Sequence, residues 1–296
     1  MKRIEILSAA LAAGLAMAAV PASAADPASD SAVAIMAKVD QVARDAFNSS
    51  ILRIKLSTCQ YTVSNNSMRC VATPRVSLVE SVRKDFGADL RDSRSVAVVI
   101  EPAGDKGISM LTHQYDATEK ENDTWLYLPA MGKIKRIVSS SNEGGSFFGS
   151  EFAIEDLETR KLGDYTYKIL ERTVTNGCNA VVVESVPTAD RSRKTQYGKV
   201  VSWVDAERYI VLKEDLYDHN GKLTKQQTMR NVERIDNVWL PRKTTMNNLA
   251  SGRVTNIDMM SVAFGVKISD EFLTQRSLMD FAFREKNLEQ LRTSLK

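Results

Sequence analysis

Three cysteines, two histidines and a short acidic run are the residue types that could carry covalent or metal chemistry in this chain of 296 residues. Cys59 and Cys70 flank Val63-Ser64-Asn65-Asn66, a turn-like run. Symmetric pairing about that turn sets them directly opposite one another across a hairpin, where they either form a disulfide, which an oxidising compartment permits, or stay as buried or partly exposed free thiols. Cys178, in NGCNAVVVES, reads as a small strand residue. His113 and His219 stand alone, outside any metal-ligand spacing. A hydrolase needs a nucleophile beside a positioned base, and neither histidine lies in such a motif, nor does the chain contain G-x-S-x-G. Glu155, Asp156 and Glu158 are acids of a kind common on surfaces and do not make a glycosidase pair. The expectation is therefore a protein without catalytic residues, metal or cofactor.

What does stand out is binding chemistry between Trp125 and Glu158. WLYLPAMGKIKRI sets large apolar side chains beside Lys133, Lys135 and Arg136, and a Ser/Asn/Gly loop then leads into GGSFFGSEFAIEDLE. This reads as a strand pair feeding a glycine-hinged aromatic loop, the make-up of a site for an apolar ligand. Gly144-Gly145 and Gly149 bracket Phe147-Phe148, which serve either as a lid over a cavity or as ordinary packing. Arg136 with Lys135 either holds a headgroup phosphate or carboxylate at the cavity mouth or forms salt bridges to Glu155, Asp156 or Glu158. Arg191, Arg193 and Lys194 read as a solvated basic group ahead of Tyr197.

The elements that must position these residues begin after a leader. Met1-Lys2-Arg3, an apolar run from Ile6 to Val20 and Pro21-Ala22-Ser23-Ala24 predict a signal peptide cleaved after Ala24 and a periplasmic product. Loss of Lys2, Arg3 and Glu5 lowers the formal net charge from +3 to +2, too near neutrality for a nucleic-acid binder. Ala32 to Phe47 follows helical spacing, with Ile35, Met36, Val39, Val42, Ala43, Ala46 and Phe47 on one stripe. From Leu52 onward period-2 alternation predicts strands near 68–86, 94–101, 107–115, 122–128, 132–138, 164–174 and 178–186. A meander over 196–205, 208–217, 222–235, 238–249 and 253–264 follows, punctuated by Asn220-Gly221, Asp236-Asn237 and Ser251-Gly252. Such long consecutive antiparallel strands favour one curled sheet over a sandwich. An outer-membrane barrel is excluded because 225–235 carries charge on both parities. From Ser269 the chain is helix-compatible, with Leu288, Leu291 and Leu295 on one side, predicted to lie across the sheet or its rim and cover an exposed edge. Residues 25–296 read as one domain.

WLYLPAMGKIKRI followed by SFFGSEFAIEDLE, with YGKVVSWVD, VLKEDLYDHNGKLTKQ, IDNVWLPRKTTMNN and DEFLTQRSLMDFAFRE in order, resembles the outer-membrane lipoprotein-sorting protein family of LolA-like fold, over about residues 70 to 296. The resemblance implies a mainly β, open antiparallel half-barrel closed by helices, whose apolar interior holds the acyl chains of a lipid or lipoprotein. It also implies a monomeric periplasmic carrier that touches membranes transiently and hands its cargo to an outer-membrane acceptor. The alternative is an adaptor docking to an exporter of the resistance-nodulation-division type. The residues expected to line the site are Leu126, Leu128, Ile134, Arg136, Phe147, Phe148, Phe152, Val181, Val183, Trp203 and Met246.

Overall fold

The computed structural model describes residues 31–295 except 46, 66, 88, 138–144 and 176. The leader, Ala46, Asn66 and Gly144 lie outside the described residues. Helix α1 (Ala32–Asp45) precedes seven strands: β1 (Ser49–Ser64), β2 (Ser67–Cys70), β3 (Arg75–Phe86), β4 (Asp92–Glu101), β5 (Ser109–Gln114), β6 (Asp123–Leu128) and β7 (Lys133–Ile137). A crossover segment, described from Gly145, leads to β8 (Tyr165–Thr175) and β9 (Cys178–Pro187). After α2 (Ala189–Ser192) come β10 (Lys199–Asp205), β11 (Val211–Tyr217), β12 (Leu223–Ile235), β13 (Val238–Asn248) and β14 (Arg253–Phe264). Helices α3 (Arg276–Met279) and α4 (Phe281–Arg292) end the chain. Among the described residues no helix is long and apolar enough to cross a membrane.

The strands form one antiparallel sheet in the order β7-β6-β5-β4-β3-β1-β14-β13-β12-β11-β10-β9-β8, with β2 paired to the end of β1. The turns predicted from residue type are where they should be. Asp236 and Asn237 both have positive φ between the paired Ile235 and Val238, the backbone a two-residue hairpin requires. β7 and β8 are not joined to one another, so the sheet stays open. The cysteine geometry differs slightly from expectation. Cys70 faces Tyr61 in the β1–β2 register while Cys59 faces Val254 of β14, so the Cys59–Cys70 disulfide runs diagonally, over a Cα–Cα distance of 5.7 Å.

The sheet is strongly curled. In the crossover segment the Thr159 N–H donates to Gln114 Oε1 at the end of β5 (3.1 Å), and the next residue, Arg160, reaches Glu214 of β11 with two bonds of 2.5 and 3.0 Å. Those strands are seven neighbours apart, roughly 34 Å on a flat sheet at the usual spacing. Adjacent residues cannot bridge that gap, so the strands wrap round the segment that crosses between them.

Each strand sends alternate side chains to opposite faces. The outer face of β1 and β3–β5 carries Ile51, Val82, Val96, Val98 and Leu111, packed against Phe272, Leu273, Leu278, Leu288 and Leu291. The C-terminal segment thus lies across the sheet, as expected, but it covers a face rather than an edge, because its leucine stripe matches an apolar surface several strands wide. The same face of β11–β14 is polar and ends in pairs such as Gln226–Asp215, Thr245–Asn256 and Lys243–Asp258. On the inner face α1 lies over β8–β10, its Ile35, Met36 and Val39 against Val181, Val183 and Val204.

Candidate functional site

The crossover segment threads the inner face. Phe148 and Gly149 take successive left-handed conformations, φ 51 and 73, turning the chain so that the Phe147 N–H donates to the Phe152 carbonyl at 2.9 Å. The Gly149 conformation serves a tight turn here, the role for which glycine is suited. Phe147, Phe152 and Ile154 then pack with Leu56, Val79, Met110, Val200, Leu216 and Met246, side chains drawn from both sides of the curled sheet.

Polar bonds fasten this segment at its flanks. The Asp156 side chain is fully buried and accepts from Tyr197 Oη at 2.6 Å, Lys225 Nζ at 2.9 Å and the Ala153 N–H at 2.8 Å. Burial, reinforced by Asp156, pushes the Tyr197 hydroxyl well above its ordinary pKa, so it stays a donor. Glu155 accepts from Thr195 Oγ1 and lies 3.7 Å from Arg191. Burial pushes its carboxyl up, Arg191 opposes this and Asp156 adds to it. Glu151 accepts from Asn248, Ser251 and Arg253 at the opposite flank.

Between the segment and the sheet lies a cavity of about 300 Å³, at the lower end of the range for small-ligand sites, ~300–1,000 Å³. Its apolar lining comes from Leu52, Ile54, Ala97, Met110 and Ile257 of the sheet, roofed by Phe147, Ile154 and Leu157. Its polar lining is Ser50, Ser81, Arg83, Ser95, Thr112, Gln114, Glu158 and Thr159. Phe47, stacked on Phe264 with ring centroids 4.5 Å apart, closes one side.

Of the residues named from the sequence, Phe147 lines this cavity. Phe152 and Met246 are buried in the cluster behind it, and Phe148 and Leu126 pack against that cluster. Leu128 shares the face of Leu126. Val181 and Val183 share the inner face but are covered by α1. Three residues belong to the outer face. Ile134 pairs with Tyr127 and packs on the C-terminal cluster. Trp203 pairs with Lys213, whose Nζ stands 4.0 Å from its ring centroid. Arg136 pairs with Trp125, is 61% exposed and is ion-paired to Asp123. It therefore neither holds a headgroup at this cavity nor meets Glu155 or Asp156, whose partners are Arg191 and Lys225. Arg191 in turn is partly buried, donating to Tyr165 Oη at 3.2 Å, and Arg193 and Lys194 pair with Asp190 and Glu121. The unforeseen lining residues Leu52 and Ile54 sat in a recognised alternation. Met110, Ala97 and Ser50 gave no signal, since only the sheet order brings them together.

Residues 91–280 match the model of a family described as an uncharacterized protein, the DUF1329 family. The chain belongs to that family. A DUF1329 family protein from Desulfovibrio piger has a similar structure, with TM-score 0.74 and 25% identity over 83% of this chain and 97% of that one. A putative outer membrane lipoprotein-sorting protein domain from Vibrio parahaemolyticus aligns with TM-score 0.73 and 24% identity over 84% and 98%. The LolA superfamily protein NE2245 from Nitrosomonas europaea aligns with TM-score 0.60 and 20% identity over 83% and 98%. The open, mainly β architecture of this DUF1329 chain is thus LolA-superfamily-like. No protein of curated function matches it.

Proposed function

We propose that this DUF1329 protein is a periplasmic carrier that shelters the acyl chain of a lipid or lipoprotein and passes it to a membrane partner. The observation that carries the reading is the cavity beneath the crossover segment, walled by Leu52, Ile54, Met110, Ile257 and Phe147. Burying a chain there removes apolar surface from water at about 25 cal/mol per Å², beneath a cover anchored by Phe147, Phe152 and Ile154 and fastened at its flanks by polar bonds. The leader-like start, Met1-Lys2-Arg3 to Ala24, supports export. The fold shared with a lipoprotein-sorting domain supports the choice of ligand.

Native mass spectrometry of the purified protein should find a co-purifying lipid, and fluorescent acyl probes should bind. Ala97 borders the cavity, so Ala97→Phe should fill it, weakening acyl-probe binding about ten-fold or more while leaving the melting temperature unchanged or higher. Unchanged probe affinity in a folded Ala97→Phe protein would remove the cavity from the reading.

A further inference from the structure

The cavity has two unlike ends. Ser50 of β1 and Arg83 of β3 stand directly opposite one another in register, and Ser81, Ser95, Thr112 and Gln114 extend their polar patch over β3–β5. Two donors in this patch lack an acceptor. Ser50 is 0% exposed, and neither its Oγ nor the buried Nε of Arg83 has a hydrogen-bond partner among the described residues. The Arg83 Nη2 group lies 3.0 Å from Asp85, which leaves the Nε edge unmatched. A buried donor without an acceptor loses its hydration with nothing in return, and two such donors side by side on a cavity wall need a local explanation.

Charge points to what would answer them. Arg83 and Glu158 are the ionisable residues that line the cavity. Glu158 lies in the field of Arg191 and Lys161, as Arg83 lies in that of Asp85. Arg83 keeps its charge at any relevant pH and offers planar donors suited to carboxylate or phosphate oxygens. At the other end the wall is hydrocarbon, from Ile54 and Met110 to Phe147 and Ile154.

We infer that this cavity takes a single-chain amphiphile with an anionic head, whose carboxylate or phosphate oxygens accept from Ser50 Oγ and Arg83 Nε while its chain lies along Ile54, Met110, Phe147 and Ile154. The inference rests on the carrier reading and sharpens it. The head adds to the Arg83–Asp85 pairing and need not displace it. A space of about 300 Å³ holds one chain and not several.

Calorimetric titration of the purified protein with dodecanoate, dodecyl phosphate and dodecanol is the test. Both anions should bind about ten-fold or more tightly than the alcohol. Arg83→Gln should remove that preference and leave dodecanol affinity unchanged. Ser50→Ala should lower anion affinity several-fold, which keeps the test open if the arginine variant does not fold. Inorganic phosphate should bind far more weakly than dodecyl phosphate. Equal affinity of the wild type for anions and alcohol would overturn the headgroup site and leave the carrier reading standing. Binding of none of the three would overturn both. Equal weakening of all three ligands by Arg83→Gln would reduce Arg83 to a packing residue. Phosphate alone binding as well as dodecyl phosphate would make this an anion site with no chain.

Discussion

The two faces of the curled sheet are both covered, but by opposite means. On the outer face, Leu273, Leu278, Leu288 and Leu291 lie on Val82, Val96, Val98 and Leu111, an apolar contact of large fully buried side chains. On the inner face the crossover segment supplies three apolar anchors, Phe147, Phe152 and Ile154. Its remaining hold is polar, through Glu151, Asp156 and Arg160, and it leaves a cavity beneath. Close-packed apolar covers are rigid and tolerate little change in volume. A cover held by hydrogen bonds over a void can give up its contacts one set at a time. The difference is where the fold is loose: the outer cover is close-packed, and the inner cover spans a cavity.

This contrast can be broken most forcefully at Asp156. Asp156→Ala leaves the Lys225 ammonium buried without its carboxylate and removes three hydrogen bonds. The expected loss is about 3–5 kcal/mol. Hydrogen exchange should rise first over 145–160 and not over 270–292. Uniform exchange, or a loss below about 1 kcal/mol in urea unfolding, would show that the polar latch does not hold the cover.

Leu288→Ala probes the other cover. It opens a void among fully buried side chains and should cost about 2–5 kcal/mol. Acyl-probe affinity of the remaining folded protein should not change. A variant that loses probe binding in step with stability would merge the two faces into one functional unit.

The smallest effect concerns His113, on the outer face, with Nε2 3.2 Å from the Leu273 carbonyl and the ring edge-on to Trp125. Burial holds its pKa below the ordinary 6.5. The unfolded chain therefore takes up the proton more readily than the native one. The stability this group contributes is complete above pH 6.5 and falls as the pH drops below it toward the lower native pKa. His113→Gln should flatten that part of the stability profile between pH 7 and 5. A wild-type profile that rises on acidification over this window would contradict the assignment.

The elements were legible because their determinants are local. Alternation marked the long strands from Leu52 to Phe264, and paired turn residues such as Asp236-Asn237 set the hairpins. The apolar stripe of Ile35, Met36 and Val39 marked a helix that needs a surface to cover. The order of motifs from Trp125 to Glu285 by itself resembles that of the LolA-like family. The candidate site was legible only in part. Phe147 was singled out by its glycine-flanked loop. Arg136 was singled out by its neighbours along the chain, and pleating turned it away from the cavity.

Strand parity is a property of a few consecutive residues, so the chain determines that Leu126 and Leu128 share a face and that Ile134 and Arg136 share one. Which face is hollow depends on contacts between residues far apart, such as Thr159 with Gln114 and Arg160 with Glu214. Those contacts exist only once the sheet has curled. The same holds for Ser50 and Arg83: each is an unremarkable strand residue alone, and it is the β1–β3 register, closed over by the crossover segment, that sets two buried donors side by side.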